Sequence, residues 1–204
     1  MHFFYTIFIA MANNLDNISV RIAYSIRGIK ITLAKNLWIS VITFIFSSLS
    51  AFSGSILSKT LNHTVSSVLS MLMLVFIGLW IMLEPYFNKK RLVSVKNKDP
   101  YKNIIYNILI EPESADVDHS KDINFKEATF LGIALSLNNI GGGLSAGMIG
   151  LNAFFVGFFS ALLSFLALWA GNYLTEFLSK LNLTKGVNLI AGLLLILIGI
   201  KQIM

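Results

Sequence analysis

Six apolar stretches of about twenty residues dominate the sequence, at 3–26, 36–58, 65–87, 128–150, 153–178 and 186–203. A helix needs roughly 20 mainly apolar residues to cross the hydrocarbon core of a bilayer. Backbone polar groups find no water there, so an apolar stretch of that length must satisfy them internally as a helix. The six stretches nearly exhaust the 204 residues and leave no room for a separate soluble domain. Only 13% of residues are charged and 55% are hydrophobic, against about 25% charged in ordinary soluble domains. The expected fold is all-α: a polytopic membrane protein with six transmembrane helices and the lipid bilayer as its first partner.

Charge placement sets the expected orientation. Thirteen basic residues fall on one face: Arg27, Lys30, Lys35, the eight from Lys89 to Lys126, Lys180 and Lys185. The opposite face has two, Lys59 and Lys201, while Arg21 lies inside the first span. Lys and Arg accumulate in cytoplasmic loops, so the 88–126 loop is expected in the cytoplasm of a multi-pass cell-membrane protein, with both termini outside. "AMA" at 10–12 has the look of a signal-peptidase site. The preceding segment lacks Lys and Arg and its apolar run is short, so residues 1–26 are read as a retained helix. The net charge of +6 is explained by these loops, and nucleic-acid binding is not expected. With no cysteine, disulfides and thiolate metal sites are excluded.

The chain also resembles itself. "FIAMANNLDNISVRIAYSIRG" at 8–28 aligns without gaps on "FLGIALSLNNIGGGLSAGMIG" at 130–150, an offset of 122. Phe8/Phe130, Ala12/Ala134, Leu15/Leu137, Asn17/Asn139, Ile18/Ile140 and Gly28/Gly150 are identical, and Asp16 falls on Asn138. "IGLWIM" at 77–82 similarly faces "IGIKQI" at 198–203. This predicts three segments: a three-helix repeat at 1–87, a connecting loop at 88–126, and a second repeat at 127–204. Three helices is an odd number, so the second repeat enters the membrane inverted. Such inverted repeats recur in secondary transporters, with the substrate site near the midplane between them.

The first stretch is unusually polar for a membrane span. At 100° per residue, Asn13, Asn14, Asp16, Asn17, Arg21 and Tyr24 occupy one sector about 160° wide, and apolar residues fill the opposite side. An intramembrane charge costs at least ~2.5–3.5 kcal/mol on insertion scales and is a functional candidate by default. The structural alternative is mutual neutralisation of Asp16 and Arg21, with asparagines bonding between helices. Five residues and about 140° separate the two charges, a poor pairing geometry, which favours function. Around a pseudo-twofold, Asn13, Asp16 and Asn17 would meet Asn138 and Asn139, followed by the close-packing glycines 141–143 and 147. One carboxylate and several amide oxygens suit a hard divalent cation such as Mn²⁺, Mg²⁺ or Ca²⁺. The expected ligand is thus a small inorganic cation, with no cofactor required.

"LDNISVRIAYSIRGIKI" at 15–31 and "EATFLGIALSLNNIGGGLSAGMIGL" at 127–151 resemble the two signature regions of the YtaF-type sporulation membrane proteins. These are similar to the manganese efflux pump family of small six-helix exporters, and the resemblance covers essentially the whole chain. It implies an aspartate in each half that handles the cation. Asp16 matches the acid of the first half; Asn138 stands at the acidic position of the second, and Arg21 stands where the family usually has glycine. The resemblance therefore implies either a divalent-cation exporter or a non-transporting relative with a structural or assembly role in spore formation.

A second metal-like pattern lies in the long loop. "DVDHSKDINFKE" at 116–127 has EF-hand spacing: Asp116, Asp118, Ser120 and Asp122 at positions 1, 3, 5 and 7, Ile123 at 8 and Glu127 at 12. Mn²⁺ or Ca²⁺ would be the ion. Position 6 is Lys121, where glycine normally permits φ > 0. The bland alternative is a solvated acidic loop with Glu127 as a first-turn helix residue. Ahead of it, "YKNIIYNILI" at 101–110 is expected to form a short interfacial helix. The histidines are scattered without metal-ligand spacing, while Asn172, Glu176 and the serines of the second stretch offer only minor polar lining or capping. No catalytic motif is present, so an enzyme is not expected, and assembly into a homo-oligomer is left open.

Overall fold

A computed structural model describes residues 2–87, 104–110 and 112–180, together with the isolated helical positions 193, 196, 197 and 200. The elements are α1 (His2–Asn13), α2 (Leu15–Arg27), α3 (Leu33–Thr60), α4 (His63–Phe87), α5 (Ile104–Ile110), a 3-10 turn (Pro112–Ala115), α6 (Phe125–Met148) and α7 (Ala153–Lys180). No strand occurs among the described residues, only an isolated bridge between Lys30 and Asp122. The sixth apolar stretch and the basic run after Asn88 lie outside the described residues, apart from those four positions.

Four of the apolar stretches form helices, α3, α4, α6 and α7, each within about three residues of the limits of its stretch. The short helix expected near 101–110 is α5. Among the described residues two helices, over Leu33–Thr60 and Ala153–Ala170, are long and apolar enough to cross a membrane, and shorter apolar segments run over Phe3–Asn13 and Thr64–Trp80. Large apolar side chains face outward along α3 (Trp38, Val41, Ile45, Leu49, Phe52), α4 (Leu72, Phe76, Leu79) and α7 (Phe154, Phe158, Leu162). Recurring every three or four residues, they form the outward stripe a lipid-facing helix requires.

The first stretch departs from expectation: it is two helices, broken at Asn14. Asn14 leaves helical geometry at φ −113°, ψ 13°, and its side chain repairs part of the break by donating to the Ala10 carbonyl at 2.7 Å. Broken backbone is tolerated at membrane depth only where protein buries it, and Asn14 is buried. The wheel drawn for a continuous helix therefore does not hold across residue 14.

α6 is central. It lies chiefly along α3, while α2 and α1 lie along α7, and α3 and α7 pack on each other. Small residues set these approaches. A Cβ on Gly147 would overlap the Ala51 carbonyl of α3, and one on Gly54 would overlap the Leu144 carbonyl of α6. The two backbones touch because both residues lack side chains, as in small-residue membrane interfaces.

The ends of α2 and α6 match in detail. Gly28 (φ 74°) and Gly150 (φ 80°) both adopt the left-handed conformation, where glycine has no Cβ penalty. Ile29 N–H bonds the Tyr24 carbonyl at 2.8 Å, and Leu151 N–H bonds that of Ala146 at 3.0 Å. Each pair is separated by the same offset of 122. Each end then leads into a helix of 28 residues.

At one end of the bundle the loop before α6 folds down onto the body. Ile104, Ile108, Ala115 and Ile123 share a buried cluster with Tyr24, Ile29, Ile39 and Leu131. Lys30 N–H bonds the Lys121 carbonyl at 2.9 Å, Ile123 N–H returns to the Lys30 carbonyl at 3.0 Å, and Lys35 pairs with Asp122 at 2.9 Å. The loop is a packed cap over the α2–α3 connection rather than a solvated tether.

Candidate functional site

The break at Asn14 orders a polar cluster where α1, α2, α6 and α7 meet. Because α2 restarts at Leu15, Asp16 falls in its first turn, where a carboxylate is stabilised by the helix dipole. One of its oxygens accepts from the Asn17 N–H at 3.0 Å. The other accepts a short hydrogen bond from the Asn138 side chain of α6. These are the two positions aligned by the offset of 122, so the matched residues of the two segments touch each other directly.

Asn14 is the hub beneath that pair. Its Oδ1 accepts from Asn17 Nδ2 at 3.2 Å and from Asn139 Nδ2 at 3.4 Å, again a matched pair. Asn17 Nδ2 also reaches Ser164 Oγ on α7 at 2.9 Å. Thr43 Oγ1 of α3 lies 3.5 Å from Ser164 Oγ and 3.3 Å from Ser136 Oγ, so the three hydroxyls form one group. Asn36 donates to the Phe165 carbonyl at 3.0 Å.

Several amide oxygens in this interior have no hydrogen-bond partner: those of Asn13, Asn17, Asn139 and Asn36. All four residues are buried. Asn13 lies against the bare backbone of Gly142, where a Cβ would collide with its amide, and its amide nitrogen is unpartnered too. A buried polar atom without a partner costs roughly 1–3 kcal/mol, so these oxygens mark a place where water or a cation would lower the free energy. Half-exposed Asp16 and exposed Asn138 form the open edge of the cluster.

Arg21 is buried as well, but it points elsewhere. Its Nη1 donates to the Ile29 carbonyl at 3.4 Å, just past the C-terminal end of α2, where a cation is favoured by the helix dipole. Its Nε has no hydrogen-bond partner. The six residues expected from the sequence thus divide. Asp16, Asn17, Asn138 and Asn139 come together, Asn13 lines the same interior without bonding to them, and Arg21 serves the far end of α2. Asn14, placed by the sequence in the polar sector but not in the expected site, joins the cluster, and Ser164, Thr43 and Ser136 are additions to it. The side chains of Asn172 and Glu176 lie outside the described residues.

In the loop, carboxylate oxygens of Asp116, Asp118 and Glu127 lie within 4.8 Å of one another. Glu127 is buried and closes a capping box with Asn124, its Oε2 accepting from the Asn124 N–H at 2.9 Å and Asn124 Oδ1 accepting from its N–H at 3.0 Å. Its Oε1 accepts from the N–H of Val117 at 2.8 Å. Hydrogen bonds from the Ser120 side chain, then from its backbone, hold the Asp118 carboxyl below the ordinary aspartate range. The turn at position 6 forms despite the lysine: Lys121 has φ 61°. The carboxylate of Asp122 is turned away to Lys35, while its carbonyl accepts from Ser120 Oγ at 3.1 Å.

Comparison with known proteins places the chain among relatives. The family model described as "Putative manganese efflux pump" matches residues 103–203, which include the acidic loop and α6. The "Probable sporulation protein YtaF" of Bacillus subtilis (strain 168) is 33% identical over 202 residues, covering 96% of each chain. No solved structure matches. The helices with outward apolar stripes and these similarities describe a helical membrane protein whose second half is similar to the manganese efflux pump family. Within that class, the chain belongs to the YtaF-type family.

Proposed function

We propose that this protein is a multi-pass cell-membrane exporter of a divalent, manganese-like cation. Its substrate passes the Asp16–Asn138 cluster between two inverted three-helix halves. The observation that carries the reading is the contact of Asp16 with Asn138, beside the unpartnered buried oxygens of Asn13, Asn17 and Asn139. Residues near a twofold axis meet their own symmetry mates, so the Asp16–Asn138 contact supports an inverted repeat. The matching left-handed ends at Gly28 and Gly150 support it independently. The break at Asn14 supports transport, since discontinuous helices build substrate sites in such repeats.

In this reading the cation exchanges its water for the Asp16 carboxylate and neighbouring amide oxygens, the ligand type that hard divalent ions prefer. Displacing the Asn138 amide from Asp16 frees the carboxylate, and rocking of one half against the other releases the ion on the opposite side. The excess of basic residues on the loop face supports a cytoplasmic loop with both termini outside.

A second reading is favoured by the same contact. With Asn17 N–H on one oxygen and Asn138 on the other, Asp16 is already satisfied, as in a packing core retained by a non-transporting sporulation protein. Cellular manganese under metal challenge discriminates between the readings. Export predicts that cells making the parent chain hold several-fold less manganese than cells making D16N. Equal manganese in the two strains would leave only the structural role.

A further inference from the structure

The acidic loop carries a second inference, independent of transport. The carboxylates of Asp116, Asp118 and Glu127 converge within 4.8 Å, a closeness that like charges resist unless something positive sits among them. Convergence alone would not mark a site. The telling group is Asp116, which is only 5% exposed. It spends Oδ2 on the Lys121 N–H at 3.1 Å, and its Oδ1 is buried with no hydrogen-bond partner. A carboxyl oxygen shut away from water and left unbonded within a group of carboxyl groups is a ligand position, since desolvating it without compensation is costly.

The chain around it is already shaped for a cation. Asp116, Asp118, Ser120 and Glu127 stand at positions 1, 3, 5 and 12 of the calcium-loop pattern, and position 7 of that pattern contributes a backbone carbonyl rather than a side chain. That explains why Asp122 can give its carboxylate to Lys35 without weakening the set. Lys121 holds the left-handed turn at position 6 without a glycine.

We infer that Asp116, Asp118 and Glu127, with Ser120 and the Asp122 carbonyl, form a binding site for one hard divalent cation at the head of α6, separate from the intramembrane cluster. The site sits on the joint between the halves. Its loop is hydrogen-bonded to Lys30, and Glu127 caps the helix that carries Asn138 and Asn139. A bound ion would therefore stiffen the connection between α2–α3 and α6.

The test is calorimetric titration of the detergent-purified full-length chain with Ca²⁺ and with Mn²⁺, using wild type, D118N, K121G and D16N. Asp118 is exposed, so D118N leaves the packing intact, which circular dichroism verifies. Wild type is expected to bind one ion in the range of roughly 0.1–1 mM, as weaker calcium loops do. D118N should bind about tenfold or more weakly, because ligand charge count sets affinity. D16N should retain this binding unchanged. K121G removes a positive charge and the left-handed strain and should bind several-fold more tightly, a gain that misfolding cannot mimic. Three results would overturn the inference: no heat from folded wild type at about 10 mM ion, D118N titrating like wild type, or binding that disappears in D16N but persists in D118N.

Discussion

Asn14 shows how one side chain turns a helix break into a site. Its amide donates back to Ala10 and its oxygen receives Asn17 and Asn139, so it ties α1, α2 and α6 at one point. Asn14→Ala should lower stability by about 1–3 kcal/mol, since it strands buried donors; unfolding of the purified protein in detergent measures this, and an unchanged midpoint would contradict the role. Asp118 gives a pH prediction. Its carboxyl is held below the unfolded aspartate value of about 3.9 by Ser120. A depressed value means its contribution is complete above the unfolded pKa and is lost as pH falls through the folded one. Acid unfolding curves of wild type and D118N should therefore differ at neutral pH and converge as the pH falls through the depressed folded value. Curves that instead diverge on acidification would contradict the assignment. At this scale the sequence was partly legible. The asparagines and Asp16 stood out because amides and acids are rare in apolar helices. Ser164, Thr43 and Ser136 did not, because isolated hydroxyls in such helices usually bond the preceding turn, as Ser136 does with Gly132 at 2.6 Å.

At the element scale, α3 and α6 are held together by absent side chains. Gly147→Ala should separate the helices and cost about 1–3 kcal/mol or more, as overpacking does. Thermal unfolding in detergent would show a lowered midpoint, and a neutral substitution would contradict the tight crossing of Gly147 with Ala51. Helix limits were legible to within a few residues because apolar length decides them. The division of the first span was not legible, because apolar residues continue on both sides of Asn14 and no proline marks the break. The break does not account for Arg21, which follows Asp16 on the same helix α2; its long side chain instead reaches past the end of α2 to Ile29, a direction a wheel of Cα positions does not show. The EF-like spacing was legible, but the capture of the Asp122 carboxylate by Lys35 was not, since that pair spans 87 positions.

For the whole molecule, the absence of cysteine makes topology directly testable. A single cysteine at Lys59 should react with a membrane-impermeant maleimide in intact cells, whereas one at Ser120 should react only after the membrane is opened. The reverse pattern would invert the proposed orientation. The central claim is that two related halves share one cation site, at which Asp16 and Asn138 are equivalent. Manganese flux into proteoliposomes containing wild type, D16N and the double exchange D16N/N138D tests it most directly. The account predicts flux in wild type, loss in D16N, and substantial recovery when the carboxylate is moved across the interface to position 138. A double exchange as inactive as D16N, with both proteins folded, would contradict the equivalence of the two positions, and a wild type without flux would contradict transport itself.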